Sequence, residues 1–248
     1  MAAHSVVVTG ANGGIGRALC AAFRKEGWHV IGTDVHPSAA IACDAYVSVD
    51  LARLCTDTAY RDDCFALLRA ALPTKGRLDA LVNNAALQVV ASVEKLTAAD
   101  WANTCNVNAM APFLLVQGLL KELEAARGAV VNIGSIHATQ TKGGFSAYAA
   151  SKAALIGLTR ALAVELGGRV RVNAVCPAAV ATPMLEAGFA GDKNKLSALS
   201  ACHPSGSIGT PEDVAAFVLT LASPASSYMS GAVVNLDGGI SSRLHDPQ

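Results

Sequence analysis

The 248-residue chain is poor in charge: Asp, Glu, Lys and Arg make up 15% of it, and 19 acidic and 19 basic side chains cancel. That balance gives no electrostatic ground for nucleic acid or an anionic membrane surface as a partner. A neutral chain with few charges favours self-association instead. The seven cysteines (Cys20, Cys43, Cys55, Cys64, Cys105, Cys176 and Cys202) form no C-x-x-C pair and are odd in number. Neither a disulfide framework nor a metal site is therefore expected, and a reducing, cytoplasmic compartment is. No uninterrupted run of 18 apolar residues offers a membrane span. Met1-Ala2-Ala3-His4 puts no basic segment ahead of an apolar one, so no secretory leader is expected. Internal repeats and low-complexity linkers are missing too.

What the chain does have is apolar residues, 52% of the total, enough for a large core in one domain spanning residues 1–248. Short apolar runs alternate with longer stretches of helical spacing. Strands are expected at 5–9, 28–34, 45–50, 78–83, 129–135, 170–176 and 232–236. Helices are expected at 15–26, 56–72, 97–126 (with Pro112 in its middle), 146–166 and 211–221, the last with proline in its first turn. Strands apolar on both faces and separated by helices mean an α/β fold: a doubly wound, seven-stranded parallel sheet with helices on both faces. Ligands in such sheets sit beyond the carboxyl ends of the strands, so the residues just after each strand carry the functional signal.

After the first strand comes Thr9-Gly10-Ala11-Asn12-Gly13-Gly14-Ile15-Gly16. Gly10, Gly14 and Gly16 allow a tight turn and close approach to a pyrophosphate, at which the next helix points its free N–H groups. Asn12 and Ile15 lie within the same turn. Asp34 ends the second strand, where a carboxylate accepts hydrogen bonds from ribose hydroxyls and repels a 2′-phosphate. No Lys or Arg lies in the turn before Gly16 or beside Asp34, so NAD is favoured over NADP. Asp50, followed by Leu51, either receives an adenine amino group or simply ends a strand. Asn83-Asn84-Ala85-Ala86 comes after the fourth strand and by itself decides nothing. After the fifth strand, Ser135 precedes Tyr148 and Lys152, the last two being i and i+4 on a helix and sharing a face. A free tyrosine is too weak a base at neutral pH. A nearby ammonium favours phenolate, and a seryl hydroxyl can hold a substrate oxygen as its charge changes.

Together these residues closely resemble the short-chain dehydrogenase/reductase family in its single-domain form. The resemblance covers nearly the whole chain: T-G-x-x-x-G-x-G at Thr9–Gly16, N-N-A at Asn83–Ala85, Ser135, and Y-x-x-x-K at Tyr148 and Lys152. It implies a Rossmann fold and an NAD-dependent oxidoreductase passing a hydride between nicotinamide and a small or medium alcohol or ketone. Tyr148 would be the general acid/base, Lys152 would lower its pKa and hold the nicotinamide ribose, and Ser135 would polarise the substrate oxygen. Asn108 would anchor a water-linked proton relay behind Lys152. Pro177, Val180 and Thr182 match the segment that contacts the nicotinamide amide, and Asn83 and Ala85 would contribute to cofactor binding. The chain departs from the family pattern at Ala86, Ala178 and Gly134, the last replacing a frequent serine.

The resemblance further implies a substrate lid at about 183–209. Met184, Leu185, Phe189 and Leu196 would be its apolar contacts, with Gly188, Gly191 and Gly206 as hinges. A lid this short suits a small or medium substrate. Gln88, His137, Gln140, Lys142 and Phe145 either face the pocket or lie in solvated loops. The resemblance also implies a homotetramer, for which Ala147, Ala150, Ala154 and Ala161 offer a small-residue face. Two other readings stand beside this one: an NADPH-dependent 3-oxoacyl thioester reductase, against which Asp34 speaks, and a non-catalytic NAD-sensing regulator, against which the intact Tyr–Lys pair speaks.

Overall fold

The computed structural model describes residues 4–36, 41–189 and 192–244. Along the chain run β1 (Ser5–Thr9), α1 (Gly14–Lys25), β2 (His29–Asp34), β3 (Ala45–Ser48), α2 (Leu51–Thr56), α3 (Thr58–Ala70), β4 (Ala80–Asn83) and α4 (Ala98–Cys105). A π-helical turn (Asn106–Met110) leads into α5 (Ala111–Gly118), α6 (Leu120–Ala126) and β5 (Ala129–Ile133). Then come α7 (Ser146–Leu166), β6 (Arg171–Pro177), α8 (Pro183–Gly188), α9 (Lys193–Cys202), α10 (Pro211–Ala222) and β7 (Val233–Leu236). All seven strands pair in parallel in the order β3-β2-β1-β4-β5-β6-β7. The strand order reverses between β1 and β4, so a crevice opens at the carboxyl ends of those two strands.

Alternation along β1 shows how the strands bury both faces. Val7 packs with Ile31, Leu81, Val130 and Val172 against the helices of one layer, among them Leu68 of α3 and Leu115 of α5. Val6 and Val8 point the other way, into a core with Leu19 and Phe23 of α1 and Val214 and Val218 of α10.

One expected helix gains a short neighbour and another is divided. The helix expected at 56–72 is α3, started by Asp57, which accepts from Tyr60 N at 3.0 Å; ahead of it lies α2, a short helix that the hydrophobic spacing does not show, capped by Asp50, whose Oδ1 accepts from Ala52 N at 2.9 Å. The stretch 97–126 is broken by the π-helical turn just ahead of Pro112, which has no N–H to donate and would crowd the carbonyl four residues back. Within the small-residue face of α7, Ala147 is fully buried, whereas Ala150, Ala154 and Ala161 are exposed. The expected hinge Gly191 lies outside the described residues. Among the described residues, no helix is long and apolar enough to cross a membrane.

Candidate active site

A cleft of about 750 Å³ opens at the strand ends. Its first end is built by the glycine turn. Gly10 adopts a positive φ of 66°, and a Cβ there would lie 2.8 Å from Ala85 Cα; a Cβ on Gly16 would lie 2.0 Å from the Gly10 carbonyl oxygen. Only hydrogen fits at either place. The N-N-A turn is bound to this loop: Asn84 Nδ2 donates to the Thr9 carbonyl at 2.8 Å, and the N–H groups of Asn84 and Ala85 donate to Thr9 Oγ1 at 3.0 Å. Helix α1 starts at the cleft with no side chain capping it and no acidic residue in its first turn, which leaves its N-terminal N–H groups to an anion.

Asp34 stands at the same end. Its Oδ2 accepts from Asn12 N at 3.0 Å and its Oδ1 from Val35 N at 2.8 Å, so the carboxylate is fixed at the mouth of the glycine turn. Arg17, just past the turn, donates from Nε to the Asn12 carbonyl at 2.9 Å and is not among the residues lining the cleft. Asp50 and Leu51 line the cleft where α2 begins, and Asp50 Oδ1 serves as the α2 cap. Asn83 behaves differently from Asn84. Its Nδ2 donates to Asn132 Oδ1 at 2.8 Å inside the sheet, and Asn132 Nδ2 donates onward to Thr159 Oγ1 at 2.9 Å. The strand pleat thus turns Asn83 into the sheet, and it is Asn84 that lines the cleft. The narrow glycine-walled cradle, the uncapped helix start and the fixed carboxylate fit a dinucleotide's diphosphate and ribose.

The middle of the cleft holds Ser135, Tyr148 and Lys152 together. Ser135 Oγ accepts from His137 N at 3.2 Å, which leaves its own proton to donate. Lys152 is 2% exposed, and its Nζ donates to the Ile133 carbonyl at 2.7 Å and lies 5.6 Å from the Tyr148 ring centroid. Burial pulls the lysine down from its ordinary value to about 8, opposed by the Cys176 thiol. Burial also pushes the Tyr148 phenol up, partly offset by its hydrogen bond with Ser135. A phenol drawn down by the ammonium was the expectation; desolvation, which penalises both charged forms, is the larger effect here.

Asn108 does not line the cleft. It sits fully buried in the π-helical turn, where Nδ2 donates to the Leu87 carbonyl and to Ser151 Oγ, both at 2.9 Å, and Oδ1 accepts from Leu87 N at 2.8 Å. Its side chain thereby ties the segment after β4 to the helix bearing Tyr148. Pro177, Val180 and Thr182 line the cleft opposite, with Thr182 Cγ2 2.9 Å from where a Gly14 Cβ would be. Gly134 is explained by Cys176 on the neighbouring strand: a Cβ at Gly134 would lie 2.6 Å from the Cys176 sulfur.

At the far end, Gln88, His137, Gln140, Lys142 and Phe145 all line the cleft, Gln140 and Lys142 from its exposed rim, and so do Ala86 and Ala178. Of the expected lid contacts Met184, Leu185 and Phe189 are there, but Leu199 takes the place of Leu196. His203 and Ile240 are cleft residues that no feature of the sequence marks. They come from late loops whose position depends on tertiary docking, away from any local motif.

A family model described as enoyl-(acyl carrier protein) reductase matches residues 10–241. The 3-oxoacyl-(acyl-carrier-protein) reductase of Thermotoga maritima is 36% identical over 244 residues, covering 94% of this chain and 96% of that protein. D-threitol dehydrogenase of Mycolicibacterium smegmatis is 35% identical over 238 residues, covering 94% and 91%. Among solved structures, the ligand-free aldohexose dehydrogenase of Thermoplasma acidophilum matches with a TM-score of 0.88 and 30% identity, covering 99% of this chain and 97% of that one.

Proposed function

The chain belongs to the short-chain dehydrogenase/reductase family, and from that membership we propose an NAD-preferring dehydrogenase in which Tyr148, Ser135 and Lys152 handle the substrate's hydroxyl or carbonyl oxygen. As a family member it is an oxidoreductase acting on alcohol or ketone groups with NAD or NADP. The observation that carries the finer reading is the convergence of Ser135, Tyr148 and Lys152 at the centre of a cleft whose other end is the glycine cradle with Asp34.

The dinucleotide, when bound, supplies the hydride donor or acceptor. Everything else falls to the protein. Gly10, Gly14, Gly16 and the start of α1 receive the diphosphate, with Asn12 and Ile15 forming the turn between them. Asp34 accepts from the adenosine ribose and disfavours a 2′-phosphate, because like charges repel at close range. Asp50 and Leu51 would hold the adenine, Ala85 would contribute to cofactor binding, and Pro177, Val180 and Thr182 would hold the nicotinamide end. Ser135 donates a hydrogen bond to the substrate oxygen and polarises it. Tyr148 gives a proton to that oxygen in reduction and takes one from it in oxidation. Lys152, with one proton committed to Ile133, directs the others toward the ribose and the phenol. Asn108 acts through Leu87 and Ser151 as a positioning residue.

With NAD selected by Asp34, oxidation of an alcohol is the expected physiological direction, because cellular NAD is kept mostly in its oxidised form. A homotetramer is part of the reading, with the exposed Ala150, Ala154 and Ala161 of α7 allowing close helix approach. The second reading, an NADPH-dependent 3-oxoacyl thioester reductase, is favoured by the similarity to the Thermotoga protein and opposed by Asp34. Similar solved structures include both a 4-hydroxyisoleucine dehydrogenase complexed with NADH and a gluconate 5-dehydrogenase of Beutenbergia cavernae with bound NADP, so the cofactor reading rests on Asp34. Parallel titrations of NADH and NADPH, and then an alcohol and ketone screen with the preferred cofactor, test the proposal. Tighter NADH binding and alcohol-dependent NADH formation are expected; tighter NADPH binding with turnover confined to 3-oxoacyl thioesters selects the second reading.

A further inference from the structure

The cleft is electrically lopsided. Among the described residues, the carboxylates lining it are Asp34 and Asp50, both at the end where the glycine turn and α2 begin. Beyond Tyr148 the lining contains no carboxylate, and the polar side chains there are Gln88, His137, Gln140, Thr141, Lys142 and His203.

Lys142 is the cation of this end, exposed at the rim and lying against the wall. Its Nζ lies 4.9 Å from the Phe145 ring centroid. Phe145 stacks on His137 at 4.6 Å with 6° between the planes, and the His137 ring meets the Tyr148 ring edge-on at 5.7 Å. His137 Nδ1 is hydrogen-bonded to Thr141 Oγ1 at 2.9 Å, which fixes the ring. An unbroken aromatic wall therefore runs from the catalytic phenol to the ammonium. Lys142 takes part in none of the ion pairs among the described residues. Burial, and after it the Lys142 charge, keep His137 below its ordinary value, so at neutral pH the ring offers hydrogen bonds and Lys142 the charge. A charge of one sign at the mouth of a largely apolar cleft concentrates ligands of the opposite sign.

We propose that the substrate carries an anionic group, a carboxylate or a phosphate, which Lys142 binds while its carbon chain lies along the His137–Phe145 wall toward Tyr148. The enzyme would then act on hydroxy or oxo acids, or on phosphorylated alcohols, in preference to neutral polyols. The inference rests on Tyr148 marking the reacting carbon, as in the dehydrogenase reading above.

Malonate, inorganic phosphate and the neutral malonamide are titrated calorimetrically into the protein saturated with NADH and into the free protein. Wild type is compared with Lys142→Met and Lys142→Arg. An anion is expected to bind about tenfold or more tightly than malonamide, to lose about tenfold in Lys142→Met, and to keep most of its affinity in Lys142→Arg. The tighter of malonate and phosphate names the anion's class. Equal affinity for malonate and malonamide, no anion binding, or an unchanged affinity in Lys142→Met overturns the inference. Failure of NADH to bind overturns the cofactor reading instead, and the free-protein titrations still decide the role of Lys142. In turnover, equal efficiency on 3-hydroxybutyrate and its methyl ester also overturns the inference while leaving the dehydrogenase intact.

Discussion

The ammonium of Lys152 donates to the carbonyl oxygen of Ile133, the last residue of β5, at 2.7 Å. One helix and one strand end are thereby joined by a buried cation, close behind the phenol of Tyr148. Holding the charge there is costly. Burial brings Lys152 down from 10.5 to about 8.

That burial makes stability depend on pH. Between about pH 8 and 10.5 the unfolded chain keeps this lysine protonated while the folded chain has released the proton. Unfolding then takes up a proton, so the lysine's contribution to stability rises with pH across that window and is flat below it. In Lys152→Met the contribution is gone. Denaturant unfolding at pH 7, 9 and 10.5 should show wild type gaining on the variant by up to about 1.4 kcal/mol per pH unit above pH 8. A constant difference across the range contradicts the assignment.

Gly134 and Cys176 form a matched pair on adjacent strands. Gly134→Ser pushes a side chain against the Cys176 sulfur, at a cost of about 1–3 kcal/mol. Adding Cys176→Ala should restore most of the loss, which thermal melts of the single and double variants would show. Equal destabilisation with and without the cysteine removes the steric explanation.

Asp34→Ala removes the carboxylate and with it the repulsion of a 2′-phosphate. NADH affinity is expected to fall about tenfold or more while NADPH affinity holds or improves. Fluorescence titration with both nucleotides checks it, and an unchanged NADH preference places the discrimination elsewhere.

Asn108→Ala strands the buried N–H and C=O of Leu87 and one bond of Ser151. Stability should drop by about 1–3 kcal/mol. Because the residue acts through position, kcat should fall while the Kd for NADH stays near that of wild type. A fall in NADH affinity alone would place Asn108 at the cofactor.

The sheet was legible because its strands are apolar on both faces: Val6, Val7 and Val8 reach both cores at once. The glycine turn, Asp34, Ser135, Tyr148 and Lys152 were legible because each comes after a strand end at a spacing its chemistry requires. What escaped depends on competition or on distance. Asp50 offers backbone N–H groups a local partner and starts a short helix, α2, that hydrophobic spacing alone does not show. Asn83 and Asn84 are neighbours with opposite fates set by the pleat. Leu199, and not Leu196, faces the cleft because the phase of α9, a short helix, is set by docking. His203 and Ile240 reach the site only through the tertiary fold.

The most direct test is the rate of hydride transfer in Tyr148→Phe, measured as NADH formed or consumed in a single turnover, with NADH affinity recorded by fluorescence on the same protein. The account predicts a loss of about 100-fold or more with cofactor binding unchanged. A variant that turns over near the wild-type rate contradicts it.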